Sequence, residues 1–139
     1  MDRMLSNYYY WMGQPDDVGD ALVRKIKRER WSVEKMCFCP EFRNYQSMWL
    51  KGVRVSEFSF VGIVEEYERC LGLLEAVLGL HLRYSEINVT KQRAPISDYK
   101  NMAGDFVRYH RKDYELYEYA KRRIAACESR LTKTSRSHL

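Results

Sequence analysis

No run in this sequence approaches the roughly 18 apolar residues that a membrane-crossing helix requires, so it carries no helical span. No basic stretch followed by an apolar one opens the sequence as given, so no secretory signal is expected on it. Cysteine is present but not dense: Cys37, Cys39, Cys70 and Cys127. Cys37-Phe-Cys39 is spaced too tightly for a zinc-binding pair, and no second pair of cysteines or histidines completes a site. His81, His110 and His138 are scattered, so no metal centre is expected. Cys70 and Cys127 fall at apolar helix positions, which reads as core thiols rather than a disulfide framework. There is no internal repeat, no low-complexity tract and no G-x-x-x-x-G-K-[ST] phosphate loop.

What the chain does have is enough apolar residue for a core. Its 139 residues are 45% hydrophobic and 31% charged, which places them with folded rather than disordered chains. Eleven tyrosines point to half-buried rings with bonded hydroxyls. A net charge of +5 suits a partner that carries phosphate, sulfate or carboxylate.

Hydrophobic spacing predicts a helix over Met1–Met12, with Met1, Leu5, Tyr8, Tyr9 and Met12 on one face and Gly13-Gln-Pro15 as its stop. Residues 16–34 read as one basic helix. Phe42 to Leu50 reads as a short helix that buries Phe42, Tyr45, Trp49 and Leu50. Glu57 to Ile63 alternates β-forming residues and reads as a strand, and His81 to Ile87 as a second extended piece. The clearest helix runs from about Glu65 to Leu78, with Gly79 as its stop. The last helix runs from about Lys112 to Leu131 with Tyr117, Ala120, Ile124, Cys127 and Leu131 as its stripe. One domain over 1–131 and a polar, frayed tail over 132–139 follow. This texture is α/β, helix-rich with one or two short strands, and predicts partner strands elsewhere, because so few do not make a stable sheet.

Three segments carry a family resemblance. Asp2-Arg3-Met4-Leu5-Ser6-Asn7-Tyr8-Tyr9-Tyr10 resembles the second half of the signature R-D-P-x-[DE]-R-x-x-S-x-Y-Y of sulfotransferases that use 3′-phosphoadenosine 5′-phosphosulfate (PAPS). Phe60-Val-Gly-Ile-Val-Glu-Glu-Tyr67 and the apolar helix after it resemble that family's later strand–helix unit. Asp113-Tyr-Glu-Leu-Tyr-Glu-Tyr-Ala120 resembles its closing helix. Order and spacing are similar to the carbohydrate sulfotransferases, particularly the heparan and uronyl 2-O group and its microbial relatives.

The resemblance implies the C-terminal, helix-rich portion of a P-loop-like fold, with PAPS as co-substrate and a carbohydrate or other hydroxyl as acceptor. It implies that Ser6 and, more peripherally, Arg3 bind the 3′-phosphate. It also implies that Thr90, Lys91 and Arg93, in the basic loop Asn88 to Pro95, lie over the nucleotide. A hydroxyl at a helix opening and a guanidinium fork suit a phosphate on physical grounds as well. The signature's first arginine falls ahead of Met1, and the loop for the 5′-phosphosulfate and the catalytic base have no counterpart. The chain is therefore expected not to turn over alone, and no catalytic residue is named. As given it reads as cytoplasmic; a eukaryotic parent with an upstream anchor would place it in the Golgi lumen.

Plainer roles stand beside these. Tyr8-Tyr9-Tyr10-Trp11 reads first as core and second as an adenine platform. Arg24 to Arg30 reads as a solvated helix face or as a holder of an acidic polysaccharide. His110 is not expected to be catalytic, because nothing around it supplies an orienting carboxylate or a nucleophile. The alternatives to a sulfotransferase are a basic module that binds a polyanion, glycan or nucleic acid, and a small helical interaction domain. For the sulfotransferase, nucleic acid is not expected as a partner, while self-association through an open sheet edge is.

Overall fold

A computed structural model of the chain describes residues 1–17, 19–83 and 94–136. Every regular element among them is helical. The contacts divide the chain into two compact units, Met1–Tyr45 with Ile87–Arg111 and Gln46–Glu86 with Lys112–Leu139.

In the first unit, helix α1 (Asp2–Met12) buries Leu5 completely and rests Met4, Tyr8 and Trp11 on a cluster of Ile26, Trp31, Met36, Cys39 and Phe42. The apolar stripe is thus rotated from the expected one: Met4 and Trp11 join the core and Met12 is exposed. The single helix expected over 16–34 is two, α2 (Ala21–Arg28) and α3 (Val33–Cys37). Local chemistry divides them. Asp20 Oδ1 accepts the N–H groups of Leu22 at 2.8 Å and Val23 at 3.1 Å, and Ser32 Oγ accepts that of Lys35 at 3.1 Å, so each side chain starts its own helix. Between them Arg30 adopts a left-handed φ of 50°, and the Arg30 and Trp31 N–H groups turn back to Lys27 O and Ile26 O.

A 3₁₀ turn at Pro40–Phe42 seats the Phe42 ring 5.4 Å from that of Trp11, and helix α4 (Tyr45–Trp49) follows. Tyr45 packs on the first unit's core, but Trp49, expected inside, is 69% exposed. A five-residue helix turns few side chains to one side, and α4 buries none of its own. Late in the chain, a 3₁₀ turn (Ile96–Met102) and a further helix that spacing alone did not suggest complete the unit.

In the second unit the expected strand over Glu57–Ile63 does not form. A 3₁₀ turn occupies Val55–Glu57, and the extended residues after it meet no strand among the described residues. They pack on helices instead: Phe60, Val61 and Ile63 lie against Cys70, Ala120 and Ile124, and Arg123 donates to Phe58 O at 2.8 Å. The packed residues do not follow the alternation, since neighbouring Phe60 and Val61 both touch the cluster while Phe58 is exposed. Residues 81–83 likewise form no strand, and the rest of that second expected piece lies outside the described residues.

The helix expected from about Glu65 becomes a 3₁₀ turn (Val64–Glu66) leading into α5 (Tyr67–Leu78), closed by Gly79 at a left-handed φ of 65°. Its stripe is buried only at Cys70; Val77 and Leu78 are exposed. With α6 (Ala103–Tyr109) in the first unit, the last helix is α7 (Arg111–Arg136). Ala120, Ile124 and Cys127 are buried as the periodicity predicts, and the helix continues past Leu131, so the polar stretch does not leave it there. All four cysteines are free and buried, and burial pushes the Cys37 thiol up to about 11. The fold is helix-rich, as expected; the strands of an α/β fold, and with them a sheet edge, are absent among the described residues.

Candidate functional site

Helix α1 advances about 100° per residue, so the core positions Met4, Leu5, Tyr8 and Trp11 leave Arg3, Ser6 and Tyr10 together on the opposite side. Arg3 and Tyr10 are exposed and Ser6 is half-buried. Arg3 and Ser6, three residues apart, are neighbours on that surface. The helix begins at Asp2, and the Met4 and Leu5 N–H groups already donate to Met1 O at 2.9 and 3.2 Å. Ser6 therefore stands a turn inside the helix instead of at its mouth. It lies one turn along from Arg3 on the helix surface, without open N–H groups of its own turn. Asp2 lies in the first turn, so attraction for an anion here depends on Arg3 more than on the helix end.

The other flank of α1 is pinned by phenols. Tyr8 Oη donates to Trp31 O at 2.9 Å, and the hydroxyls of Tyr9 and Tyr99 lie 2.8 Å apart. The bond to Tyr9, and after it burial, pushes Tyr99 up to about 12, while burial foremost raises Tyr8. Two rings of the tyrosine cluster are thus structural ties, and Tyr10 is the one turned outward.

The other expected cofactor contacts, Thr90, Lys91 and Arg93, lie outside the described residues. The basic run Arg24 to Arg30 is largely engaged in local structure. Lys27 donates to Met12 O and Gln14 O and pairs with Asp16 at 3.2 Å, and Arg24 donates to Gly19 O at 2.9 Å. The ammonium of Lys25 and that of Lys35 sit 5.3 and 4.5 Å from the Trp31 ring centre. Trp31 in turn donates to Glu29 at 2.8 Å, which with the surrounding cations holds that carboxyl below its ordinary range.

His110 is buried and used twice. The Asn44 N–H donates to Nδ1 at 3.3 Å, so the ring proton belongs on Nε2, which donates to Cys37 O at 2.8 Å. That is a structural tie in the first unit, and nothing in it calls for catalysis. Among the described residues no three His, Cys, Asp or Glu side chains converge on a point that suits a metal ion.

The two later segments of the resemblance find structural work within the second unit. A methyl group on Gly62 would meet Cys70 Cβ at 3.1 Å and the Phe60 ring at 3.3 Å, so a larger residue is crowded as the chain enters α5. Asp113 accepts hydrogen bonds from Gln46 and Ser47, and Ala120 lets Ile63 and Cys70 approach α7. The roles of Asp113 and His110 were not read from sequence; an acidic residue opening a predicted helix was the available signal for the first. A groove of about 540 Å³ beside α5, lined by Leu71, Gly72, Glu75 and Leu82 among others, is shaped by Glu75, which takes the Leu82 N–H at 2.6 Å and His81 Nδ1 at 2.9 Å. No family model, curated protein or solved structure matches the chain.

Proposed function

We propose that this chain supplies part of the 3′-phosphate site of a PAPS-dependent sulfotransferase acting on a carbohydrate hydroxyl. The observation that carries the reading is that Arg3 and Ser6 lie three residues apart on the side of α1 turned away from its core, in the order the sulfotransferase signature gives them. A guanidinium fork next to a hydroxyl is a donor set for a phosphate monoester: the fork takes two oxygens and the hydroxyl a third. The exposed Tyr10 ring, further along the same side, is placed to cover a purine. In the complete reaction the acceptor oxygen forms a bond to sulfur as the bond from sulfur to the 5′-phosphate oxygen breaks, in line. Adenosine 3′,5′-bisphosphate leaves, and the acceptor's proton passes to a base. The proposal gives this chain binding of the nucleotide end and no catalytic residue.

Calorimetric titration with adenosine 3′,5′-bisphosphate, against adenosine 5′-monophosphate as the ligand without a 3′-phosphate, tests this directly. Tighter binding of the bisphosphate supports the proposal, and equal affinity for the two overturns it. A second reading, diffuse binding of a polyanion, is favoured by one observation. The first unit holds thirteen Lys and Arg against nine Asp and Glu, while the second holds eleven against ten. That mode is recognised by a steep fall of affinity with salt and by indifference to Arg3 and Ser6. A sulfate-transfer assay on the chain bears on the rest, since turnover by the chain alone would contradict its assignment to binding.

A further inference from the structure

The end of α4 and the turn that follows it are built unlike a solvated loop. Within six residues it exposes Met48 at 50%, Trp49 at 69% and Val53 at 47%, and Lys51 and Arg54 stand exposed beside them. Of the three tryptophans, Trp31 is buried and Trp11 is packed against Phe42; only Trp49 is mostly in water. The tip is also ordered from within. The N–H groups of Leu50, Lys51 and Val53 donate to Gln46 O, Met48 O and Leu50 O at 3.3, 3.2 and 3.0 Å, and Gly52 makes the reversal at a φ of 86°. Its base is held by Asp113, which accepts from Gln46 and Ser47.

We propose that residues 48–54 form a docking tip for a membrane surface rich in anionic lipid headgroups. Trp and Met are side chains that gain by entering the boundary between headgroups and acyl chains, and Trp favours that boundary because its ring is apolar while its N–H stays bonded. Lys51 and Arg54 reach headgroup phosphates and carboxylates from beside the apolar residues, as long cationic side chains do. From Gln46 to Glu57 the one acidic residue is Glu57, paired with Arg54 at 3.4 Å where both are exposed, so a denser anionic surface competes for that arginine. Backbone donors already satisfied inside the turn lower the cost of bringing it into a poorly hydrating layer. A glycan is the weaker match, since Val53 offers sugar hydroxyls no hydrogen bond and the Met48 thioether only a weak acceptor. The proposal is independent of the nucleotide site.

The test is sedimentation of the full chain with vesicles of phosphatidylcholine alone and with phosphatidylserine added, together with tryptophan emission. Binding to the serine-containing vesicles with a blue-shifted emission is expected. Trp49→Ser should weaken the partition about tenfold or more and abolish the shift, because Trp11 and Trp31 are already shielded. Lys51→Glu with Arg54→Glu should weaken it about tenfold or more for the anionic vesicles. Unchanged thermal midpoints show that the variants are folded, as exposed positions allow. No binding to either vesicle overturns the proposal, as does binding that Trp49→Ser leaves intact. So does a Trp49-dependent dimer, or Trp49-dependent binding of an acidic polysaccharide, without vesicle binding.

Discussion

One carboxylate oxygen of Asp113 accepts both the N–H of Ser47, at 2.8 Å, and its hydroxyl, at 2.7 Å, across 66 residues of sequence. The other oxygen takes the Gln46 N–H at 3.1 Å. Those two N–H groups belong to the first turn of α4, so a residue on α7 performs the duty of a helix cap from a distance. A helix of five residues has too few internal bonds to hold itself, which makes this outside cap the reason it exists. Asp113→Ala should destabilise the chain by about 1–2 kcal/mol, read as a lower urea midpoint at unchanged slope. Ser47→Ala, which deletes one of the three bonds, should cost about half as much. Equal midpoints for Asp113→Ala and the parent would remove the cap from the account.

Gly62 tests the fit between the extended segment and α5. A Cβ there meets Cys70 Cβ at 3.1 Å, Phe60 Cε1 at 3.3 Å and Cys70 Sγ at 3.5 Å. The Cys70 atoms belong to a buried cluster and have little room to give. Gly62→Ala should therefore cost about 1 kcal/mol or more despite its gain in backbone entropy, and Gly62→Val more again. In a background with Cys70→Gly, the penalty of Gly62→Ala should shrink, and a thermodynamic cycle of the four proteins measures that coupling. Additive effects would show that the contact does not set the glycine.

How far the sequence disclosed all this depends on the range of the forces involved. α1, α5 and α7 were legible because each repeats apolar residues at helical spacing over three or more turns, and Gly79 marks a stop that needs a left-handed residue. The break between α2 and α3 was less visible, since Asp20, Ser32 and the left-handed Arg30 are single residues whose effect rests on backbone geometry. Residues 57–63 show the limit of alternation as a signal: Phe60, Val61 and Ile63 pack on Ala120 and Ile124 of a helix and Phe58 is exposed, where a strand was expected. Of the candidate site, the neighbourhood of Arg3 and Ser6 followed from helical spacing. The inward step of Ser6 did not, because it depends on where the first turn of α1 closes. The ties made by His110 and Asp113 join residues more than sixty positions apart, which no local pattern records.

The phenols of the first unit give the chain a defined alkaline limit. Tyr99 is pushed up from 10.0 to about 12, first by its bond to Tyr9 and then by burial. Below pH 10 both the folded and the unfolded chain keep that proton, and its contribution to stability is complete. Between about 10 and 12 the unfolded chain gives up the proton first, so the contribution declines and is gone once pH has passed the folded value. Tyr8, Tyr114 and Tyr117 are raised as well, chiefly by burial, and act in the same direction. Stability should accordingly fall with rising pH from about 10 upward. In a phenolate absorbance titration, Tyr99→Phe should delete the last step, and Tyr9→Phe should move it toward the ordinary tyrosine range. A last step unmoved by Tyr9→Phe would mean that burial sets it.

Arg3 and Ser6 separate a shaped phosphate site from a merely basic surface. Arg3 is exposed on the side of α1 away from the core, so Arg3→Ala removes no core packing and should leave the urea midpoint within about 0.5 kcal/mol of the parent. If the pair holds a 3′-phosphate, Arg3→Ala should weaken adenosine 3′,5′-bisphosphate about tenfold or more, the scale of a charge-assisted hydrogen bond. Ser6→Ala should weaken it by less, about fivefold, because a hydroxyl bond to a charged group is lost without loss of a charge. Arg3→Lys is the informative third variant: it keeps the charge but not the fork, so affinity should remain below the parent's. Adenosine 5′-monophosphate should bind all four proteins alike, since it offers the pair no 3′-phosphate. A parallel loss for both nucleotides would mean that Arg3 acts through general charge, and a salt slope unaltered by Arg3→Ala would mean that it meets no phosphate at all.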